Sequence, residues 1–207
     1  MKKIITIGRQ FGSGGADIGK ALAKELNIKC YDKEILFEAA KKSGMCEVVA
    51  EQYDECGQQS FLYSLATTGY FASQMDYQPI NAKLYNAQFQ LIRKIAEEEE
   101  SCIFIGRCAD YVLEENKDLL RVYISADIDY RIKKIADKYD ISESEAIKLI
   151  QRRDKQRAAY YNFYTCKKWS EVNSYDLCIN SAGVGVDGAV QLILNYLELR
   201  KIKGMSI

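Results

Sequence analysis

The sequence predicts an α/β fold: a three-layer sandwich in which helices cover both faces of a five-stranded parallel sheet. Short apolar runs alternate with longer helical stretches along the chain. The first run is rich in β-branched residues and almost entirely apolar, as parallel strands buried on both faces are. It leads through a glycine-rich turn directly into a helix, an arrangement that α/β proteins use to bind phosphate.

Five stretches are predicted to be strands, because each is short and predominantly apolar. They are KIITIG (3–8), KCYD (29–32), SCIFIGR (101–107), LLRVYISA (119–126) and YDLCINS (175–181). Parallel strands joined by helical crossovers bind ligands at their carboxyl ends. The functional site is therefore expected at that edge of the sheet.

Helices are predicted in the intervals between these strands. The segment ADIGKALAKELN follows the glycine-rich turn and places Ile18, Leu22 and Leu26 at helical spacing. Residues 33–100 are predicted to be largely helical, with a break around MDYQPI, which contains Pro79, the only proline of the chain.

Two further helices are predicted between the fourth and the fifth strand. One runs from Asp127 to about Tyr139. The start of the next is marked by SESE, in which Ser142 as N-cap and Glu145 three residues later make a capping box.

Composition favours one ordinary globular domain over residues 1–207. Of the 207 residues, 48% are hydrophobic, and 29 basic residues balance 29 acidic ones, with a pI near 6.4. This balance provides no long-range attraction for nucleic acid or for an anionic membrane. No apolar stretch reaches the length of a membrane span. Neither nucleic acid nor a membrane is therefore expected as a partner, and the oligomeric state is left open.

The cysteine and histidine content limits the kinds of site that the chain can form. The seven cysteines are scattered without C-x-x-C spacing, and the sequence shows no secretory leader. Reduced thiols and a cytoplasmic location are therefore expected. The chain has no histidine, which argues against a zinc site and removes the commonest general base.

The loop FGSGGADIG, residues 11–19, is the first candidate site. Its glycines permit positive φ, so that successive N–H groups can point inward, and the following helix adds its positive end. Aligning the Walker A pattern G-x-x-x-x-G-K-[ST] on Gly14 puts Arg9 at its first glycine and Gly15 at its lysine. The pattern favours phosphate binding, and a simple glycine-rich turn is the alternative.

The second candidate is the predicted helix LIQRRDKQRAAYY, residues 149–161. Arg153 and Arg157 are four residues apart and hence on one face, and Asp154 lies almost one turn before Arg157. Two guanidinium groups suit phosphoryl transfer, in which charge on the moving group must be neutralised. Taken alone, the stretch favours a solvated, salt-bridged helix surface.

Five segments together resemble the cytidylate kinase-like proteins, a branch of the P-loop nucleoside monophosphate kinases related to bacterial cytidylate kinase. The segments are GRQFGSGGADIGKALA, YDKEI, GRCADYVL, RDKQRAAYYNFY and YDLCINSAGVGVDGAVQLI. They follow the family's order and approximate separations over nearly the whole chain. The resemblance implies the P-loop kinase fold, ATP as phosphate donor, Mg²⁺ as cofactor and a nucleotide or small phosphorylated molecule as acceptor.

The resemblance also implies which residues bind the donor. The residues expected to bind the ATP phosphates are Gly12, Ser13, Gly14, Gly15, Ala16 and Arg131. Asp17 stands where the family loop has a threonine that contacts magnesium. Because a carboxylate is a good ligand for a hard cation, Asp17 is expected to hold the metal and to take part in catalysis.

The resemblance also implies which residues bind the acceptor. Residues from about 33 to 100 would form a helical acceptor-binding region, and residues from about 140 to 170 would form a lid. Arg153 and Arg157 on this lid are the expected catalytic residues. The residues expected to contact the acceptor are Asp32, Arg107, Asp154 and Arg157.

Two departures from the family pattern bear on the acceptor. The G-R-D motif ends here in Cys108 after Gly106 and Arg107, so an acidic residue that helps to recognise cytosine is absent. Glu38 stands where an arginine is expected. The sequence therefore does not support cytosine recognition. Asp110 is a candidate replacement, although a solvated helix position is the favoured interpretation.

Three functions remain open. The favoured one is ATP-dependent phosphoryl transfer to a nucleoside monophosphate or a similar small acceptor, with loop, metal and lid arginines supplying position and charge. The alternatives are a catalytically inactive nucleotide-binding or sensing module and a small-metabolite kinase of the shikimate or gluconate type.

Overall fold

The computed structural model describes residues 2–32, 35, 38, 41 and 80–202. The predicted break around Pro79 and most of the predicted helical region before it lie outside the described residues.

The described residues contain one sheet of five parallel strands. The strands are β1 (Lys3–Arg9), β2 (Lys29–Tyr31), β3 (Ser101–Ile105), β4 (Leu119–Ser125) and β5 (Leu177–Asn180). Their order is β2-β3-β1-β4-β5, and every neighbouring pair is parallel. The predicted five-stranded parallel sheet is thus confirmed. Strand β3 ends two residues earlier than predicted, because Gly106 has a φ of +70° and turns the chain.

Six α-helices lie in the described part of the chain, numbered here in order. They are α1 (Gly15–Leu26), α2 (Ile80–Glu98), α3 (Ala109–Val112), α4 (Ile128–Tyr139), α5 (Glu143–Thr165) and α6 (Ser181–Ile202), and a 3-10 turn covers Val172–Ser174. The predicted capping box is present at the start of α5: the Ser142 hydroxyl accepts from the Glu145 N–H, and the Glu145 carboxylate accepts from the Ser142 N–H. Helix α6 is broken at Gly185, whose φ is +67°.

Side chains of alternate residues pack on opposite faces of the sheet, as the pleat requires. Along β1, Ile4 joins an apolar cluster with helices α2 and α3, whereas Ile5 and Ile7 join a cluster with α1 and α6. All three side chains are almost fully buried. Helices therefore cover both faces of the sheet, which makes the predicted three layers.

The strand order decides where the site lies. Strand β1 lies between β3 and β4, so the segments that follow these three strands meet at one edge of the sheet. Among the described helices, none is both long and apolar enough to cross a bilayer.

Candidate active site

The glycine-rich segment forms an open loop between β1 and α1. Gly12 and Gly14 have φ values of +85° and +78°, which a residue with a side chain adopts only with strain. Gly14 is the N-cap of α1, and no side chain caps this helix. The first N–H groups of a helix have no acceptor within the helix. Their position at the mouth of the loop suits them to bind phosphate.

Hydrogen bonds from three parts of the chain fix the shape of the loop. The Ser13 hydroxyl donates to the Gln10 carbonyl at 2.9 Å, and the Ser181 hydroxyl donates to the Ser13 carbonyl at 2.6 Å. The Phe11 N–H donates to Asp154 Oδ1 at 2.7 Å. The Ser13 side chain is buried and bonded within the loop, and the Ser13 N–H also donates to the Gln10 carbonyl at 3.3 Å. The contact of Ser13 with phosphate stays a prediction.

An ion pair between Arg131 and Asp154 lies against the loop. Arg131 Nη1 donates to Asp154 Oδ2 at 2.6 Å and to the Phe11 carbonyl at 3.3 Å. Arg131 itself is 8% exposed. The pair therefore connects helices α4 and α5 to the loop. The donor role expected for Arg131 and the acceptor role expected for Asp154 stay predictions.

The position aligned with the Walker lysine is sterically closed. A Cβ atom on Gly15 would lie 2.5 Å from the Arg9 Cβ and 3.0 Å from the Arg9 Cγ. Real Cβ atoms do not approach that closely, so Gly15 tolerates no side chain while Arg9 keeps its place.

A cavity of about 340 Å³ opens between the loop, β2, β3 and helices α4 and α5. Its lining contains seven basic and two acidic side chains, in a chain whose formal net charge is zero. The acidic residues are Asp17 and Asp32. The basic residues are Arg9, Lys20, Arg107, Lys134, Lys138, Arg153 and Arg157. Such concentration of positive charge favours a ligand that carries several negative charges.

Helix α5 brings two of the predicted arginines to this cavity. Arg153 and Arg157 both line it, as their spacing on one helical face predicts. Arg157 Nη1 donates to the Arg9 carbonyl at 3.1 Å, and its guanidinium carbon lies 5.8 Å from the centre of the Phe11 ring. The helix therefore lies against the start of the glycine-rich loop. Its movement as a lid stays a prediction.

The turn after β3 has an unusual backbone. Gly106, Arg107 and Cys108 all have positive φ, between 54° and 70°. Consecutive left-handed residues with side chains are strained, and such strain clusters at functional sites. Arg107 is 2% exposed and lines the cavity. At the end of the adjacent strand, the Asp32 carboxylate lies 3.7 Å from the Arg9 guanidinium.

Asp17 lies in the first turn of α1, with its carboxylate in the cavity. Its Oδ2 atom is 3.7 Å from Lys134 Nζ, and its side chain is 57% exposed. No group of three or more acidic or cysteine side chains converges on a metal site within the described residues. A metal at Asp17 would thus have fewer than three such protein ligands among the described residues, and it would need further oxygen ligands from phosphate or water, as Mg²⁺ often has.

The favoured interpretation of Asp110 as a solvated residue is wrong. Asp110 is half-buried and accepts a hydrogen bond from the Tyr161 hydroxyl at 2.7 Å. Burial raises the pKa of this carboxyl above its usual range, although the Tyr161 bond opposes the shift. Tyr161 belongs to an aromatic cluster with Tyr85 and Tyr160, next to the buried Cys108. The aromatic segment of α5 therefore packs against α2.

Sequence reasoning missed three lysines of the cavity, namely Lys20, Lys134 and Lys138. A signal for two of them was present. Lys134 is three residues after Arg131, and Lys138 is four residues after Lys134, which places all three on one side of a helix. No local pattern could indicate that this side faces the phosphate loop.

The sequence matches the model of the cytidylate kinase-like family over residues 4–183. Similar curated proteins include a cytidylate kinase of Archaeoglobus fulgidus, 27% identical over 96% of this chain and 97% of its own length. A cytidylate kinase of Sulfurisphaera tokodaii is 24% identical over 98% of this chain and 99% of its own length.

Solved structures show the same architecture. An uncharacterised protein from Eubacterium ventriosum is 32% identical over 95% of this chain and 99% of its own, with a TM-score of 0.72. A shikimate kinase from Bacteroides thetaiotaomicron, 16% identical over 96% of this chain and 99% of its own, has a TM-score of 0.55 and shares the fold. The family match spans nearly the whole chain and agrees with the sheet order and the loop geometry. The chain belongs to the cytidylate kinase-like family.

Proposed function

We propose that the protein is an ATP-dependent, magnesium-requiring kinase that phosphorylates a nucleoside monophosphate. The observation that carries this proposal is the basic cavity, where the glycine-rich loop, Arg107 and the α5 arginines face a common space. Transfer between two phosphorylated molecules needs a site that holds both sets of phosphates together. Membership of the cytidylate kinase-like family supports the same reaction class.

The donor phosphates would lie over the loop. The uncapped N-terminus of α1 offers its N–H groups and the positive end of the helix dipole. Asp17 would provide the protein ligand for Mg²⁺, which when bound neutralises charge on the phosphates. The hydrogen bond that Asp154 accepts from the Phe11 N–H and the one that Ser181 donates to the Ser13 carbonyl hold the loop in this shape. The N–H donors of the loop therefore need little rearrangement.

Arg153 and Arg157 would act on the phosphoryl group in transit. Both side chains line the cavity, and Arg157 also donates to the Arg9 carbonyl at the end of β1. Charge spreads over the oxygens of the transferring group in the transition state, and guanidinium groups positioned there lower the barrier. Arg107, buried at the end of β3, would bind the phosphate of the acceptor.

The acceptor base is left open by this proposal. The family's acidic motif residue is replaced by Cys108, which is 3% exposed. A buried thiol provides no carboxylate for a cytosine amino group. We therefore expect a nucleoside monophosphate as acceptor, without a preference for cytidylate.

The test is a coupled assay of ADP release by the purified protein with ATP and Mg²⁺. The acceptors are all common nucleoside monophosphates and a panel of small metabolites that includes shikimate and gluconate. We expect turnover with at least one nucleoside monophosphate. Turnover with a metabolite alone would favour a small-metabolite kinase. Tight ATP binding without any turnover would favour a sensing module.

A further inference from the structure

Helix α4 carries a lysine directly over the phosphate loop. Lys134 Nζ lies 3.7 Å from Asp17 Oδ2, and 2.8 Å from the point that a Cβ atom on Gly14 would occupy. Its side chain is 31% exposed and lines the cavity. The ammonium group is therefore at the opening of the N–H cradle.

The packing of α4 fixes this position. One turn before the lysine, Arg131 is bonded to the Phe11 carbonyl and to Asp154. The next residue, Ile135, is 3% exposed, and its Cγ1 would be 3.1 Å from a Cβ atom on Gly12. Contacts on both sides of Lys134 thus hold its helix against the loop.

We propose that Lys134 supplies the positive charge that the loop itself lacks at Gly15. In ordinary P-loop enzymes a lysine of the loop binds the β- and γ-phosphates. Here Arg9 occupies the space beside Gly15, so a lysine cannot be accommodated there. The charge is delivered instead from α4. This inference rests on the proposed kinase function.

The chemical role follows from the bond changes of the reaction. A phosphate oxygen of the acceptor forms a bond to the γ-phosphorus, and the bond from that phosphorus to the β–γ bridging oxygen breaks. ADP leaves with the electron pair, and a dianionic acceptor phosphate needs to lose no proton. Negative charge develops on the leaving oxygen, and Lys134 stabilises it. The lysine would contribute to ATP affinity as well, because it contacts the phosphates before transfer.

Other basic groups of the cavity fit this role less well. Lys20 is exposed on α1, and Lys138 lies one turn further along α4. The Arg9 guanidinium lies next to Asp32, at the end of β2. Lys134 combines an ammonium group over the loop with a helix packed on both sides.

The test compares Lys134→Met with Lys134→Arg and with a matched control, Lys133→Met. Lys133 is the exposed neighbour on the same helix and does not line the cavity. Turnover is measured with the best acceptor, and binding of ATP, ADP and inorganic tripolyphosphate is measured by calorimetry. Thermal melting of each variant shows whether it is folded.

We expect Lys134→Met to lower kcat about a hundredfold or more and to weaken ATP and tripolyphosphate binding by about tenfold. ADP binding should fall less, and Lys134→Arg should retain most of both properties. Lys133→Met should match the parent.

If the parent turns over and Lys134→Met behaves like Lys133→Met, the inference is wrong while the kinase function stands. If the parent turns over no acceptor, the proposed kinase function is wrong. The role of Lys134 is then judged from the affinities for ATP and tripolyphosphate. A loss of ATP and tripolyphosphate affinity in Lys134→Met alone supports it, whereas unchanged affinity overturns it.

Discussion

The Cβ atom of Arg9 lies 2.5 Å from the point where a Cβ atom on Gly15 would be. Arg9 is the last residue of β1 and is 8% exposed. In the Walker A pattern these two positions hold a glycine and a lysine. The two differences from that pattern are therefore coupled, because the large side chain at the first position leaves room only for glycine at the second.

The contact between Arg9 and Gly15 predicts that the loop does not accept a lysine at position 15, where the Walker A pattern has one. Gly15→Lys should weaken ATP binding at least about tenfold, because the new side chain displaces Arg9 or the loop. Gly15→Ala should show the same effect in weaker form. Calorimetry with ATP measures the change. The control is Gly183→Ala, since a Cβ atom there meets nothing within 4 Å. Improved ATP binding by Gly15→Lys would contradict the steric argument.

Gly14 provides a test of backbone recognition. Its φ of +78° disfavours any residue with a side chain, and its added Cβ would point at Lys134 Nζ. We expect Gly14→Val to abolish measurable nucleotide binding while the protein stays folded. Calorimetry reports the binding and circular dichroism the fold. Unchanged ATP affinity in this variant would show that the loop is merely a turn.

The α5 arginines should act mainly on turnover. We expect Arg153→Ala to lower kcat by about a hundredfold or more, with a far smaller loss of ATP affinity, because the charge that it neutralises develops during transfer. Arg157→Ala should lower kcat and also raise the acceptor KM. Arg152→Ala is the control, since Arg152 is the exposed neighbour on the same helix. Parent-like kinetics in both cavity variants would refute the catalytic assignment.

Asp154 should affect stability as well as binding. Asp154→Asn removes the charge that pairs with Arg131, leaving a guanidinium with little access to solvent. Breaking a buried pair in this way costs about 3 kcal/mol, and the partial exposure of the carboxylate makes this an upper value. Urea denaturation measures it. ATP affinity should fall too, because the Phe11 N–H loses its charged acceptor. Asp129→Asn, at an exposed position of α4, should change neither.

A second ion pair gives a pH dependence. Arg121 Nη2 and Nε donate to the Asp176 carboxylate at 2.8 and 3.2 Å, joining β4 to the residue before β5. Burial opposes ionisation of Asp176, but the bonds from Arg121 outweigh it and lower the pKa of this carboxyl below its ordinary value of 3.8. The folded state therefore favours the ionised carboxylate more than the unfolded state does. The resulting stability is present above the ordinary pKa and is lost as the pH falls through the lower folded-state pKa.

The comparison of Asp176→Asn with the parent measures this contribution. We expect the variant to lose about 1 to 2 kcal/mol at pH 7, with a difference that shrinks as the pH is lowered from 5 towards 3. Chemical denaturation at several pH values gives the free energies of unfolding. Asp187→Asn, an exposed position on α6, should show no such trend. A constant difference across this range would contradict the ionic origin.

The sequence by itself determined the class and order of the elements. Buried parallel strands are apolar in runs, helices repeat their apolar residues every three to four positions, and a capping box lies within four residues. These signals are local, so the five strands, the capping box at Ser142 and the helix after the glycine-rich loop could all be predicted. The resemblance to the cytidylate kinase-like family could be recognised for the same reason, because each of its motifs is a short stretch of consecutive residues.

The tertiary structure decided which side chains meet. Asp154 binds the N–H of Phe11, a residue 143 positions earlier in the sequence. Lys134 lies over Gly14, and Asp110 accepts a bond from Tyr161 and is thereby removed from full solvation. Each contact depends on how α4 and α5 pack across the carboxyl edge of the sheet. Residue spacing fixes the direction of a side chain on its own helix, but only the packing of helices and strands determines what it faces.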